Sequence, residues 1–317
     1  MPPVARDLSR YPLAEVRKLL AGGPLTPHLL EGLRRDPRSG VRALHAPARR
    51  RFERERSERL RLDAMLNFER VLWRQGVARI AGVDEAGTGP LAGPVVAAAV
   101  MFPPDCGLAG VDDSKKLDAP TRERLADEIR KHAAVGVGVA GVDDIDRLNV
   151  YHAALLAMRR AVEALPERPE HLLVDARTVP GVSLPQNTFQ KGDGINYSIA
   201  AASIIAKTHR DALMDALDRE HPGYGLARHK GYATPEHQAA IRRLGPSPIH
   251  RLSFHFIREL CGEYSERFYD LQRRLAAAGG EADLARFGRD LEEVAAILHP
   301  LEQRKLRLSL SRRWKTL

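Results

Sequence analysis

Four acidic residues in the middle of the chain stand where strands are expected to end. Ile80–Val83 runs into Asp84 and Glu85, Leu172–Val174 runs into Asp175, and the Phe189–Gly192 stretch runs into Asp193. An acid at the end of a buried strand is costly unless something pairs with it. One such acid is often just a cap or a salt bridge, but three such strand ends in one region are harder to dismiss. If their strands lie side by side, the carboxylates converge at one edge of the sheet and repel each other. A divalent cation resolves that repulsion, and hard oxygen ligands favour Mg²⁺ or Mn²⁺. The chemistry would then be that of an oxygen-held metal.

Neighbouring residues of a strand point to opposite faces. Asp84 and Glu85 are therefore expected to share a site only if regular strand ends between them. Ala86-Gly87-Thr88-Gly89-Pro90 comes at once after them. Its glycines permit a tight turn and leave backbone amides open to a phosphate. The spacing of Gly87, Gly89 and Gly93 imitates a dinucleotide fingerprint, but the last step is one residue too long. The preceding acids would repel a pyrophosphate, and a strand follows where a helix should, so a nicotinamide cofactor is not expected.

The elements that must position these acids are legible between residues 78 and 256. Strands are predicted at Arg79–Asp84, Pro94–Phe102, Val135–Val142, Leu172–Asp175 and Asn187–Gln190, with helices at about Pro120–Ala133, Asn149–Leu165 and Tyr197–Glu220. Two closely joined strands followed by alternating helices and strands imply an α/β fold with a mixed sheet. The chain divides into three regions: a helical N-terminal extension over 1–75, a catalytic domain over 76–256, and a helical C-terminal extension over 257–317. In the first, Arg49–Arg56 mixes charges at helical spacing, which favours a solvated face over substrate binding. Leu60, Met65, Leu66, Phe68 and Leu72 are expected on one apolar face. In the last, Gly279-Gly280 divides two helical stretches. Gln303–Leu317 carries only basic charge; a loosely ordered terminus is preferred there to a nucleic-acid arm.

The totals narrow the class. A formal net charge of +9 and a sequence pI of about 9.8 suit a polyanionic partner. Cys106 and Cys261 stand far apart, and no CxxC or HExxH pattern occurs, which argues against structural zinc and a disulfide framework. No apolar run approaches the roughly 18–20 residues of a membrane span. The N-terminal residues have no signal layout, so the chain is expected in the cytoplasm.

Longer motifs carry a family resemblance. The stretch from Ala81-Gly82-Val83-Asp84-Glu85-Ala86-Gly87-Thr88-Gly89-Pro90 to Val96 is similar to the opening motif of ribonuclease HII. Asp113-Ser114-Lys115-Lys116-Leu117 resembles the second motif, and Leu173-Val174-Asp175-Ala176 the third. Lys191-Gly192-Asp193 with Ser198–Lys207 resembles the fourth. His221–Gly225, His229–Tyr232 and Thr234–His237 resemble the fifth, and Gly245–Arg251 closes the set. The likeness spans about residues 60–254. The leading region, with Asp36-Pro37-Arg38 and Leu60–Trp73, is similar to an extension found on some bacterial members.

The resemblance implies a ribonuclease H-like fold and an Asp-Glu-Asp-Asp site at Asp84, Glu85, Asp175 and Asp193. It implies two-metal-ion hydrolysis of the RNA strand of RNA–DNA hybrids, including DNA containing ribonucleotides, with two Mn²⁺ or Mg²⁺ ions and 3′-hydroxyl and 5′-phosphate products. A role in removing RNA primers or misincorporated ribonucleotides is implied as well, and a monomer is expected. Tyr232 would meet the ribonucleotide together with the amides of Gly87, Thr88 and Gly89; without the resemblance it reads as a half-buried core tyrosine. Ser114, Lys115 and Lys207 are further substrate candidates, and Lys116, Lys191, Arg228 and Lys230 could meet phosphates. Ser203 and Lys207 share a helix face. Where ribonuclease HII usually has Gly-Arg-Gly, this chain has Gly87-Thr88-Gly89, the form associated with ribonuclease HIII. Thr cannot replace the charge or the forked donors of Arg, so weaker cutting at a single embedded ribonucleotide is expected. Asn196-Tyr197 and His255 also depart from the usual pattern. The acids alone would allow another nuclease of the same fold, or a binding protein with a decayed site.

Overall fold

The computed structural model describes residues 8–104, 106–261, 264–298 and 300–316. Residues 1–7 of the N-terminal extension and Leu317 of the basic tail lie outside the described residues. Contacts divide the chain into compact units, Met1–Asn67 and Phe68–Leu317. The division falls before residue 75 because Glu69, Leu72 and Trp73 pack within the second unit.

The first unit holds helices α1 (Leu13–Gly22), α2 (Pro27–Arg35), α3 (Ser39–Arg42) and α4 (His45–Met65). Thr26 caps α2 by accepting from the Leu29 N–H at 3.1 Å, and Pro27 opens the helix, where no N–H is needed. Leu8, Val16, Leu30, Leu33 and Val41 form its core. Asp36-Pro37-Arg38 acts as a staple. The Asp36 carboxylate grips the Arg38 guanidinium through both oxygens, which holds Asp36 down to about 2. Arg38 in turn donates to the Tyr11 and Leu8 carbonyls at 2.7 and 2.8 Å. Along α4 the mixed charges pair in solvent, Arg49 with Glu53 and Arg51 with Glu55. The expected single apolar face does not form: Leu60 and Phe68 are exposed whereas Met65 and Leu66 are buried. The helix breaks at Leu66, which turns the residues after it out of phase with those before it.

The second unit runs α5 (Asn67–Arg74), β1 (Ile80–Ala86), β2 (Val95–Met101), α6 (Ala119–His132), β3 (Ala134–Ala140), α7 (Val142–Leu148) and α8 (Val150–Glu163). Next are β4 (His171–Asp175), β5 (Gln186–Phe189), α9 (Tyr197–Glu220), α10 (Leu226–His229) and α11 (Pro235–Leu244). Then come α12 (His255–Leu260), α13 (Glu266–Ala277), α14 (Glu281–Val294) and α15 (Pro300–Trp314). The predicted third strand ends early, since Gly141 opens α7 and Asp143 and Asp144 favour its positive N-terminal end. The end of the chain is also ordered helix rather than a loose tail. Leu306 of α15 is buried in a separate core with Phe268, Leu271, Leu284, Phe287 and Leu291.

The five-stranded sheet has the order β3-β2-β1-β4-β5. β2 lies antiparallel to β1 and β3, while β4 runs parallel to β1 and β5 parallel to β4. The mixed α/β architecture is therefore as expected. Ala81, Val83, Ala97 and Ala99 face α8, whose Ala153, Ala154, Ala157 and Ala161 let it approach closely. The opposite face carries α9, and Gly82 is where β1 meets its backbone. A Cβ there would fall 2.1 Å from the Ser198 carbonyl carbon. Gly82→Ala should therefore cost about 3 kcal/mol or more, since neither backbone can yield. Urea unfolding of the purified variant measures this; an unchanged midpoint would mean that α9 is not seated against β1.

Candidate metal centre and its supporting turn

The parallel ladder between β1 and β4 ends at Val83 opposite Val174. One step further stand Asp84, within β1, and Asp175, the last residue of the adjacent β4. Asp84, Glu85 and Asp175 each place a carboxylate oxygen within 4.8 Å of the others. The expectation that β1 must end between Asp84 and Glu85 is corrected. β1 continues to Ala86 against β2, with Asp84 opposite Ala98 and Glu85 opposite Ala97. Only its β4 side opens. There the Asp84 carboxylate folds back to accept from the Glu85 N–H at 2.7 Å, while Glu85 is long enough to reach round.

Asp175 is held by the Gly192 N–H, which donates to Oδ1 at 2.6 Å. Beyond it, Ala176 has a φ of 55°, a left-handed conformation that a non-glycine residue adopts only when its surroundings force it. Asp193 sits in a short 3-10 turn after β5 and stands apart from the three-carboxylate group. Its Oδ2 accepts from Lys115 Nζ at 2.8 Å, but its charge still acts on Asp84 and Asp175.

Electrostatics mark the cluster as unfinished. Burial, then the charges of Glu85, Asp175 and Asp193, raise Asp84 well above the usual carboxylate range. Burial also raises Glu85, against the opposing pull of Arg177, whose Nη1 lies 3.4 Å from Oε1. Burial, together with Asp193, raises Asp175 despite its amide bond. Glu85 Oε2 is buried with no hydrogen-bond partner. Several hard oxygens, mutual repulsion and one unsatisfied acceptor fit a divalent cation.

Beside the carboxylates lies the Gly87–Gly93 turn, and two buried arginines brace it. Arg251 is fully buried and donates to the carbonyls of Gly87, Thr88 and Gly93 at 2.6, 3.1 and 2.9 Å. Arg210, equally buried, donates to Pro94, Lys230 and Ala92 carbonyls at 3.0, 3.1 and 3.3 Å. Burial pushes Arg251 down to about 9, so it stays charged near neutral pH. Gly87 has a φ of 93°, and a Cβ there would fall 2.0 Å from Arg210 Nε. With these carbonyls turned toward Arg251, the donors that Gly87 and Thr88 have for a ligand are their N–H groups and the Thr88 hydroxyl. Sequence reading missed both arginines as site residues. Arg210 stands in the polar run Lys207–Asp211 of α9, where nothing in the sequence sets it apart from its solvated neighbours.

Tyr232 is 45% exposed, and its ring is the nearest neighbour of Gly89. It is thus not a core tyrosine. Behind it lies a histidine relay. Ser247 N–H donates to His250 Nδ1 at 3.0 Å, His250 and His237 meet Nε2 to Nε2 at 3.2 Å, and His237 Nδ1 reaches the Tyr232 carbonyl at 2.9 Å. These directions are mutually satisfied only when both rings are neutral. Burial lowers His237 to about 4, and burial with the neighbouring His237 lowers His250 to about 3.

The other substrate candidates are mostly engaged. Ser114 is buried, with its Oγ 2.7 Å from Ser203 Oγ, so it fastens the Lys115 loop to α9 rather than facing outward. Lys116 pairs with Asp112, Lys207 with Asp211, Arg228 with Glu236 and Lys230 with Asp215. Lys191 is exposed beside Asp193 in a left-handed conformation. Asn196 is buried and caps α9, accepting from Ile199 N–H at 3.0 Å, and it bonds the buried Glu69. His255 opens α12 at the surface. Among the described residues no helix is long and apolar enough to cross a membrane.

The comparisons with known proteins agree with one another. The family model described as Ribonuclease HII matches residues 81–257, and that for the Ribonuclease HII N-terminal domain matches residues 13–73. A ribonuclease HII of Myxococcus xanthus is 57% identical over 241 residues, spanning 75% of this chain and 82% of that one. One from an Anaeromyxobacter species is 47% identical over 285 residues, spanning 88% and 90%. One from Geobacillus thermodenitrificans is 51% identical over 261 residues, spanning 81% of this chain and all of that one.

The electrostatics of the site lead to two expected outcomes. Without divalent ions, Asp84→Asn should melt higher than the parent, because it removes a repelled buried charge. Saturating Mg²⁺ or Mn²⁺ should stabilise the parent, by about 2.7 kcal/mol at a hundredfold excess over Kd, and reverse the order. Equal melting shifts in both proteins would place the ion elsewhere. The second concerns acid. His237 and His250 have lowered values in the folded state, so their contribution is complete above 6.5 and is lost as pH falls towards 4 and 3. Each should remove about 1.4 kcal/mol per pH unit within that window. Urea midpoints between pH 7 and 5 measure the slope. His250→Asn should flatten it, and an unaltered slope would assign the acid sensitivity to other groups.

Proposed function

The chain belongs to the ribonuclease HII family and is a type 2 ribonuclease H, and we propose that it hydrolyses the RNA strand of RNA–DNA hybrids, including ribonucleotides embedded in DNA. The observation that carries this reading is the convergence of Asp84, Glu85 and Asp175, with an unpartnered Glu85 oxygen, beside a turn whose carbonyls are tied inward. Asp84, Glu85, Asp175 and Asp193 are the catalytic and metal-holding residues of this proposal. Two divalent ions, Mn²⁺ or Mg²⁺, would supply positive charge at the attacking water and at the leaving 3′ oxygen, giving 3′-hydroxyl and 5′-phosphate ends.

The protein's own groups orient the rest. The Glu85 N–H fixes Asp84 and the Gly192 N–H fixes Asp175, so both carboxylates are set before substrate arrives. Lys115 holds Asp193, and its largely exposed side chain can also meet a phosphate. Ser114 serves by anchoring that lysine's loop through Ser203. Gly87, Thr88 and Gly89 present amides to the nucleotide, and Tyr232 covers them with its ring, where a 2′-hydroxyl distinguishes RNA from DNA. Lys207 contributes to phosphate binding when Asp211 releases it. The enzyme acts as a monomer in the cytoplasm, removing RNA primers or misincorporated ribonucleotides during DNA replication and repair.

Two labelled duplexes test the reading, one with a single ribonucleotide in DNA and one with a continuous RNA strand on DNA. Both should be cut with Mn²⁺ or Mg²⁺ and spared with chelator. Asp84→Asn should abolish cutting, and the single-ribonucleotide duplex should be the weaker substrate. Thr88→Arg should raise its rate selectively. Failure to cut either duplex with any divalent ion would overturn the enzyme reading and leave a nucleic-acid-binding protein.

A further inference from the structure

The C-terminal helices lie beyond the segment that the family model matches, which ends at residue 257. α15 is the basic element there, and its cations are already engaged within the protein. Lys305 donates to the Tyr264 hydroxyl at 3.0 Å, and Arg307 grips Glu292 at 2.9 and 3.0 Å. Arg312 donates to the carbonyls of Asp146 and Arg147, at the C-terminal end of α7, at 2.8 and 3.1 Å. Arg313 does the same for the end of α13, donating to Ala276 and Ala278 carbonyls at 3.1 Å each. Helix C-termini carry unsatisfied carbonyls and partial negative charge, so these contacts join two helix ends to one clamp. A helix so occupied is poorly suited to hold a nucleic acid.

Arg304 is the buried member of this set, with its side chain only 11% exposed. Its Nε donates to Asp143 at 2.7 Å, and its Nη1 donates to the Pro248 and His250 carbonyls at 2.5 and 3.0 Å. Its Nη2 lies 3.2 Å from Asp146 Oδ2, an ion pair that lacks hydrogen-bond alignment. Asp146 accepts in turn from the N–H groups of Leu252 and Ser253 at 3.0 and 2.9 Å. Arg304 and Asp146, paired with each other, thus grip residues 248–253 together, the first through carbonyls and the second through N–H groups. That segment contains Arg251, whose guanidinium braces the Gly87–Gly93 turn, and Ile249, whose carbonyl accepts from Gly93 N–H at 2.9 Å.

We propose that Arg304 is a positioning residue for the Gly87–Gly93 turn, acting through Asp146 and the segment that carries Arg251. The effect on substrate rests on the function proposed above, in which this turn meets the ribonucleotide. The mechanical link does not rest on it. Arg251 can hold the carbonyls of Gly87, Thr88, Gly93 and Pro94 only while its own backbone is fixed. The contacts of Arg304 fix that backbone from outside the catalytic domain. Lys at this position would keep the charge but lose the planar fork that meets two carbonyls and two carboxylates together.

Full-length Arg304→Ala, Arg304→Lys and the control Arg307→Ala test this, the control removing a cation from the same helix without touching residues 248–253. Amide hydrogen exchange is read first, since it needs no activity. Exchange over 87–93 and 248–253 should quicken in both Arg304 variants and stay unchanged in the control. Cleavage of the two duplexes is read second. In Arg304→Ala, KM should rise roughly tenfold or more with a smaller change in kcat, and Arg304→Lys should lie between. Unchanged exchange over 87–93 would overturn the proposal, as would exchange that quickens equally over the whole chain. An inactive parent with the expected exchange pattern would refute the proposed function and leave the positioning role standing.

Discussion

Carboxylates brought together in a buried place repel one another, and much of the second unit can be understood as the means of holding them there. Asp84 is almost wholly removed from water and has Glu85 and Asp175 as neighbours. The cost of that placement must be offset by rigid apolar structure around it, because a soft surrounding would let the acids swing into solvent. The sheet meets this need. β1 is sealed on one face by the alanines of α8 and on the other by the backbone of α9 at Gly82. The ladder to β2 runs on past both acids, so the backbone carrying them cannot relax. Only the β4 side is open, and that is the side to which the acids turn.

Positive charge is placed around this cluster with restraint. Lys115 meets Asp193 and Arg177 approaches Glu85, but Glu85 Oε2 keeps no partner. Full neutralisation by the protein would leave no affinity for a cation. Partial neutralisation keeps the fold stable without one while leaving a site that gains from one. Arg177 also rests on the Tyr151 ring, 4.8 Å from its centroid, which limits how far it can move onto the acids.

Asp84 and Asp175 were legible because each follows an apolar run that forms a buried strand, whereas Asp193 follows a short, largely unburied strand and a turn, and the sheet's mixed character could be read from the order of the elements. The parts that were not legible share a cause. Arg210 and Arg251 brace the glycine turn through backbone carbonyls, and a carbonyl has no residue identity for a sequence to display. Continuation of β1 through Glu85 was hidden because strand pairing can end on one side and persist on the other. Leu60 fell outside its expected face because it precedes the buried Met65 by five residues of the same helix, about 140° round its axis, while the break at Leu66 shifts the phase only of the residues after it. The loose tail was misjudged because its leucines, read among many cations, gave too weak a periodic signal against a core that only α13 and α14 create.

The excess of basic residues carries a related lesson. A net charge of +9 reads as an electrostatic footprint for a polyanion, yet many of the arginines face inward. Arg38, Arg210, Arg251, Arg304, Arg312 and Arg313 all donate to main-chain carbonyls. Five planar donors suit arginine to gather several carbonyls at turns and helix ends, where regular secondary structure leaves them unpaired. Such arginines contribute to the far field but have little geometric freedom to reach a phosphate. Beside the acids, Lys115 pairs with Asp193 and Arg177 approaches Glu85, while Lys191 is exposed and Lys207 pairs with Asp211. Arg210 and Arg251 shape the turn by gathering carbonyls, whereas Lys115 and Lys207, which lack the planar fork, each donate to a single carboxylate.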